Sequence, residues 1–187
     1  VPTQVLDGAS GVLLGAGFPF GSEFTGAIRM AAGDLTGDGV ADLVMGMGPG
    51  GGLVSLLNGS TIAPIGSGYP FGPAFRGGVA VAVGDVNGDG RNDIVTAQAT
   101  GGGAVTVFDG VTLAVVLSTA PFGPSYAGGL NVATGDVDAD GRADLIVGQA
   151  VDGVVAVVSA VTGAVTVSGS PFGGVSGVFV AAADVSG

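Results

Sequence analysis

A repeat of about 51 residues runs through this sequence and constrains its fold more than any other feature. Four tetrapeptides that end in Pro-Phe-Gly begin at residues 18, 69, 120 and 170, at spacings of 51, 51 and 50 residues. Units of this size stack on their neighbours, because one unit alone cannot bury its apolar face. The sequence therefore predicts three complete units, 18–68, 69–119 and 120–169, and partial units at 1–17 and 170–187.

Each complete unit contains four short segments with the patterns of β-strands. The first alternates apolar residues, as at Val79, Val81 and Val83, which is typical of a strand with one buried face. The second is a short apolar run such as Leu43–Met45, which suits a strand covered on both faces. An Asn-Gly or Asp-Gly pair, a hairpin signal, follows the third segment in the first two units. The predicted third strands are 53–57, 104–108 and 154–158, and the predicted fourth strands are 61–65, 113–117 and 164–167.

This organisation indicates an all-β fold, a β-propeller built of four-stranded antiparallel blades. Residues 1–17 resemble the outer, third and fourth strands of a blade, whereas 170–187 resemble a first strand that reaches the next acidic residue, Asp184. The chain 1–187 is thus predicted to be a single propeller or a propeller segment. Because closure takes about 4 to 8 blades, the ring would be completed by a longer array or by another chain.

An acidic stretch of nine residues follows the first predicted strand of every complete unit. The three copies, here named loop 1 (34–42), loop 2 (85–93) and loop 3 (136–144), contain 10 of the 15 acidic residues. Oxygen-bearing side chains stand at positions 1, 3, 5 and 9, and glycine stands at position 6. Calcium takes about 6 to 8 oxygen ligands, which a tight loop supplies from alternate residues and a main-chain carbonyl. We therefore predict about three Ca²⁺ ions per chain.

The predicted ligands are the side chains at positions 1, 3, 5 and 9 and the main-chain carbonyl at position 7. They are Asp34, Thr36, Asp38, Val40 and Asp42 in loop 1, Asp85, Asn87, Asp89, Arg91 and Asp93 in loop 2, and Asp136, Asp138, Asp140, Arg142 and Asp144 in loop 3. Loop 3, with four aspartates, is expected to bind most tightly, and loop 1, with Thr36, most weakly. Magnesium is disfavoured, since it usually keeps several waters.

An EF-hand is the nearest alternative for these loops, because it also begins with aspartates and has glycine at position 6. It requires a bidentate glutamate at position 12, where this sequence has Met45, Thr96 or Val147. It also requires flanking helices, whereas the flanks here have strand patterns. The EF-hand interpretation is therefore rejected.

Composition excludes several functional classes. The chain has no cysteine and no histidine, which removes thiolate metal sites and the most common general base. The chain has four arginines, no lysine and 15 acidic residues, which gives a net charge of −11. This negative charge argues against nucleic-acid binding. No apolar run approaches the roughly 18 to 20 residues of a membrane-spanning helix, so membrane insertion is not expected. The acids outside the loops form no evident catalytic pair, so we predict no catalytic residues, no organic cofactor and no enzymatic activity.

The units resemble FG-GAP/VCBS-type repeats, the blades of integrin α-chain propellers and of many bacterial surface and secreted proteins. The resemblance lies in the Gly-Asp-x-[Asn/Asp/Thr]-x-Asp-Gly-x-x-Asp-[Leu/Ile] loops and in the Phe-Gly and Gly-Gly-Gly elements. It implies that each loop joins the first two strands of a blade and binds Ca²⁺ through the residues named above.

The function expected from this resemblance is an extracellular or cell-surface structural and adhesion module. Its partner would be another protein, or a second copy that associates through the open half-blades. Two alternatives stay open. One is a glycan-binding propeller, and the other is a non-catalytic part of a larger secreted enzyme that acts on polysaccharides.

Overall fold

The computed structural model describes residues 3–174 and 176–183, and within them the chain is all-β, with fourteen strands and no helix. It therefore has no helix long and apolar enough to cross a membrane in the part described. Asp184, the acidic residue reached by the first strand predicted in 170–187, lies outside the described residues. The strands are β1 (Thr3–Leu6), β2 (Leu13–Gly17), β3 (Ile28–Gly33), β4 (Asp42–Met47), β5 (Val54–Leu57), β6 (Pro64–Gly68), β7 (Val79–Gly84), β8 (Asp93–Gln98), β9 (Val105–Phe108), β10 (Val115–Thr119), β11 (Leu130–Gly135), β12 (Asp144–Gln149), β13 (Val155–Val158) and β14 (Val165–Gly169).

The strands form three four-stranded antiparallel sheets and one two-stranded sheet, each ordered as in the sequence. We name β3–β6 sheet 1, β7–β10 sheet 2, β11–β14 sheet 3, and β1–β2 the N-terminal hairpin. In sheet 1 the first and second strands pair from Ile28 opposite Met47 to Gly33 opposite Asp42, so loop 1 is their hairpin connection. Sheets 2 and 3 repeat this register. The predicted all-β fold of four-stranded blades is confirmed.

Consecutive sheets pack face to face, with their first strands side by side. One core cluster joins sheets 1 and 2, where Val54 and Leu56 meet Val79 and Val81, and another joins sheets 2 and 3. The outer strands separate, leaving an apolar cleft of about 300 Å³ between sheets 1 and 2. This wedge-like stacking is typical of propeller blades. The sheets do not close into a ring within the described residues.

Small residues on the second strands allow this close stacking. A Cβ atom added to Gly46 of β4 would overlap the carbonyl oxygen of Val79 in the next sheet, and one added to Gly148 of β12 would lie 2.8 Å from that of Val178. Residues 178–183 thus lie against sheet 3 as β7 lies against sheet 1. They form no strand, although the sequence predicts one, since the described residues provide no second strand to pair with them.

The fourth strands begin later than predicted, at 64, 115 and 165 instead of 61, 113 and 164. The Asn-Gly and Asp-Gly pairs do not form two-residue hairpins. The N–H of Ile62 instead donates to the carbonyl of Asn58 at 2.8 Å, and that of Leu113 donates to Asp109 at 2.9 Å. Ile62 and Leu113 have φ values of 56° and 58°, in the left-handed region, so each connection is a wider loop.

Candidate metal-binding loops

Loops 1, 2 and 3 occupy the same place in successive sheets, between the first and second strands. The aspartate at position 9 begins the second strand in each case. Asp42, Asp93 and Asp144 are only 0%, 1% and 3% exposed, although aspartate is rarely buried without a partner. The other predicted side-chain ligands are mostly more exposed than this buried group.

The buried aspartate ties its loop to the connection between the third and fourth strands. One oxygen of Asp42 accepts the N–H groups of Leu35 and Thr36, both at 2.9 Å. Its other oxygen accepts the N–H of Gly59 at 2.9 Å. Asp93 repeats the arrangement with the N–H groups of Val86, Asn87 and Gly110. The glycine of the Asn-Gly or Asp-Gly pair therefore donates its N–H to the buried aspartate of the acidic loop.

Burial raises the pKa of Asp93 above its ordinary value, since desolvation disfavours the charged form. The N–H donors around it oppose the shift, and the nearby negative charge of Asp89 adds to it. A cation beside this carboxylate would act in the opposite direction and favour ionisation. The site is thus suited to holding a positive ion.

The carboxylate of the aspartate at position 1 accepts hydrogen bonds from the main chain of its own loop. Asp34 accepts the N–H groups of Gly37, Asp38 and Gly39 at 2.6, 3.2 and 2.8 Å. Asp85 does the same with the equivalent residues of loop 2. Gly39 has a φ of +83°, a conformation that costs glycine little. Each carboxylate oxygen keeps further acceptor capacity, so these bonds leave room for a metal ion.

Loop 3 brings three of its predicted ligands together. Carboxylate oxygens of Asp136, Asp138 and Asp144 lie within 4.8 Å of one another. Asp140 is not part of this group, and its carboxylate accepts the N–H of Arg142 at 2.9 Å. Three clustered carboxylates repel one another, and a divalent cation would neutralise that repulsion. Thr36 and Asn87 occupy the position of Asp138 in the other loops, which therefore contain fewer carboxylates.

The connection between the third and fourth strands supplies polar groups that the sequence analysis did not assign to the site. The Ser60 hydroxyl donates to Asp38 at 2.7 Å, and this hydrogen bond lowers the pKa of Asp38. In loop 2 the Asn87 amide donates to Asp109 at 3.0 Å and to Asp89 at 3.2 Å. The available signal is a polar residue directly after each third strand, namely Asn58, Asp109 and Ser159, which in the first two units belongs to the predicted hairpin signal.

Comparison with known families agrees with this arrangement. A family model described as an FG-GAP-like repeat matches residues 34–96 and 85–147, together more than half of the chain. Each match begins at the first aspartate of a loop and ends in the second strand of the next sheet. A search of curated proteins finds no match.

Repeats of this family are typical of β-propeller-like modules that mediate protein interactions, generally without enzymatic activity, and they commonly bind calcium. They are also typical of extracellular and surface proteins. The matched segments contain all three acidic loops, and their period is the 51 residues that separates those loops in the sequence. The chain therefore belongs to the FG-GAP-like repeat family.

Proposed function

We propose that this chain is a calcium-stabilised interaction module of the extracellular space, in which each acidic loop binds one Ca²⁺ ion. The observation that carries the proposal is the recurrence of the same oxygen-rich loop at the same place in three successive sheets. A single Asp-Gly turn could be merely solvated. Three loops in register, each with a buried aspartate at position 9, are better explained by a common ligand.

The donor set fits calcium. Every predicted ligand is an oxygen, from carboxylates, from the side chains of Thr36 and Asn87, and from main-chain carbonyls at position 7. Hard cations such as Ca²⁺ prefer oxygen, and extracellular calcium modules bind with Kd values of about 10⁻⁴ to 10⁻³ M. The ion would supply the positive charge that the buried and clustered carboxylates lack. The loops then hold the first two strands and the turn before the fourth in one rigid unit.

The face of sheet 3 formed by β13 and β14 is the candidate interaction surface. Val155 and Val157 align in register with Val54 and Leu56 of sheet 1, which are buried by the sheet that follows. In sheet 3 the same positions are half-buried and line a groove beside Val167, which is 64% exposed. A sheet of the same kind fits such a face, and we propose that a second copy of this chain provides it.

Calcium-dependent thermal unfolding, followed by circular dichroism, tests the proposal. Each site filled at about 100 times its Kd adds about 2.7 kcal/mol of stability, which corresponds to a Tm increase of roughly 5–11 °C for a chain of this size. We expect Ca²⁺ to raise Tm, excess chelator to reverse the increase, and equimolar Mg²⁺ to have a smaller effect.

Loop variants identify the groups responsible for that increase. Asp138→Ala removes one carboxylate from the loop 3 cluster and should reduce the calcium-dependent increase in Tm. Asp152→Ala removes an exposed carboxylate outside the loops and should leave the increase unchanged. A wild-type Tm that is equal in calcium and in chelator would contradict the proposal.

A further inference from the structure

We infer that neighbouring loops are coupled through the arginine at position 7, so that calcium in one loop strengthens calcium binding in the loop before it. The inference rests on the proposed function, because it concerns the same three sites. It assigns a positioning role to Arg91 and Arg142, whose side chains the sequence analysis left without one.

Each arginine side chain leaves its own loop and contacts the preceding one. Nη1 of Arg91 donates to the main-chain carbonyl of Thr36, in loop 1, at 3.1 Å. Nη1 of Arg142 donates to the main-chain carbonyl of Asn87, in loop 2. Both acceptors stand at position 3, whose side chain is a predicted ligand. The arginine thus holds the main chain of the residue whose side chain is a predicted ligand of the neighbouring ion.

A second set of bonds strengthens the same link. The Asn92 amide, at position 8 of loop 2, donates to the carbonyl of Asp34, at position 1 of loop 1, at 3.1 Å. The main-chain N–H of Ala143, at position 8 of loop 3, donates to the carbonyl of Asp85 at 2.7 Å. Positions 7 and 8 of one loop therefore restrain positions 3 and 1 of the loop before it.

The residue at position 4 differs between the two loops that an arginine contacts and the third loop. A Cβ atom on Gly37 would overlap the Arg91 guanidinium, and one on Gly88 would lie 3.0 Å from Cζ of Arg142. Loop 3 has Ala139 at this position, and no arginine from a following loop lies over it in the part of the chain described. Position 4 has a positive φ in all three loops, and it is glycine in the two loops that receive an arginine.

Arg91 connects the two sites through its two ends. Its main-chain carbonyl is a predicted ligand in loop 2, whereas its guanidinium lies on loop 1. An ion in loop 2 would immobilise the Arg91 backbone, so that less entropy is lost when the guanidinium holds Thr36 in place. Such coupling is reciprocal and typically amounts to about 5- to 150-fold in affinity.

Nuclear magnetic resonance titration with CaCl₂ measures this coupling loop by loop. The position-6 glycines, Gly39, Gly90 and Gly141, provide one amide reporter for each site. Asp89→Asn weakens loop 2 but keeps an oxygen that can accept the N–H of Arg91. We expect this variant to weaken calcium binding at loop 1, reported by Gly39, by about fivefold or more. In an Arg91→Ala background, where the Asn92 bond to Asp34 still links the two loops, the same substitution should have a smaller effect on loop 1.

Two controls separate positioning from charge and from folding. Arg91→Lys keeps the positive charge but loses the planar guanidinium, so a loss of coupling in this variant indicates positioning. Arg76→Ala removes an arginine whose guanidinium, among the residues described, donates to the carbonyls of Pro73 and Phe75, and it should leave loop 1 unchanged. The spectrum in chelator verifies that each variant is folded.

Failure of the coupling and failure of calcium binding give different results. If all three glycines respond to calcium but Asp89→Asn changes loop 1 affinity by less than about twofold, the coupling is refuted and the proposed sites stand. If no loop glycine responds in the wild type, both the coupling and the proposed function are overturned.

Discussion

The buried aspartate at position 9 is the residue on which each loop depends most. Asp42 and Asp93 have almost no exposed surface, yet each accepts N–H groups from two different connections of its sheet. Charge-assisted hydrogen bonds of this kind are stronger than neutral ones. Loss of one such carboxylate would therefore disturb both its own acidic loop and the turn before the fourth strand.

Acidification should weaken calcium stabilisation, because burial raises the pKa of Asp93. In the metal-free protein the contribution of this group to stability is present below the unfolded pKa of about 3.9 and is lost as the pH rises through the folded pKa. Calcium requires the ionised form. The difference in Tm between calcium and chelator should therefore shrink as the pH falls from neutral towards the unfolded pKa of about 3.9, because Asp93 takes up a proton above that value.

Thermal unfolding across that pH range, with and without chelator, measures the effect. Asp38 and Asp109, whose pKa values are lowered by hydrogen bonds from Ser60 and Thr112, act at lower pH and do not interfere. The contributions of these two carboxylates to stability are present above their unfolded pKa and are lost as the pH falls through their folded pKa. A difference in Tm that stays constant as the pH falls from neutral to about 3.9 would contradict this account of Asp93.

At the scale of the elements, sheet stacking depends on small residues on the second strand. Gly46→Ala places a methyl group against the main-chain carbonyl of Val79, which cannot move aside as a side chain could. We expect a loss of about 1–3 kcal/mol in the free energy of unfolding, measured by urea denaturation.

Gly68→Ala is the matched control, because Gly68 lies at the end of the outer strand β6 with open space around its Cβ position. This variant should change the free energy of unfolding by no more than about 0.5 kcal/mol. Equal effects of the two substitutions would mean that close approach of the sheets does not limit the residue at position 46.

The elements also differ in how far the sequence predicts them. Local patterns predicted the first three strands of each sheet, because alternation and apolar runs depend on neighbouring residues. The start of the fourth strand was predicted wrongly, because the turn extends past the Asn-Gly pair and closes through the N–H of Ile62 on the carbonyl of Asn58. The N–H of Gly59 is bound to Asp42, 17 residues away in the sequence, which local patterns do not specify. The link from Arg91 to Thr36 spans 55 residues and depends on how the sheets stack, which local patterns do not specify.

At the scale of the whole molecule, the first strands of the three sheets lie side by side and are linked by hydrogen bonds. Arg29 of β3 donates to Asn131 of β11 at 3.0 Å, across the intervening first strand β7. The Asn131 amide in turn donates to the carbonyl of Val178 at 2.8 Å. Arg29 thus contributes to a line of hydrogen bonds between the first strands, a role that depends on how the sheets stack.

The proposed self-association surface on sheet 3 predicts a concentration-dependent dimer. Val167→Asp places a charge in the groove beside Val155 and Val157 and should abolish the dimer by desolvation cost. Val161→Asp is the control, because Val161 is similarly exposed, at 62%, but lies in the turn before β14. Sedimentation velocity distinguishes the two variants. A wild-type chain that stays monomeric at high concentration would contradict self-association.

The number of calcium ions bound to the chain tests the central claim most directly. Native mass spectrometry in calcium should detect three ions per chain, and a chelator should remove them. Asp34→Ala, Asp85→Ala and Asp136→Ala should each lower the number by one, which distinguishes loop-bound ions from ions held loosely by an acidic surface. A chain without bound calcium at saturating concentration, or a count that these substitutions leave unchanged, would contradict the assignment of the loops as calcium sites.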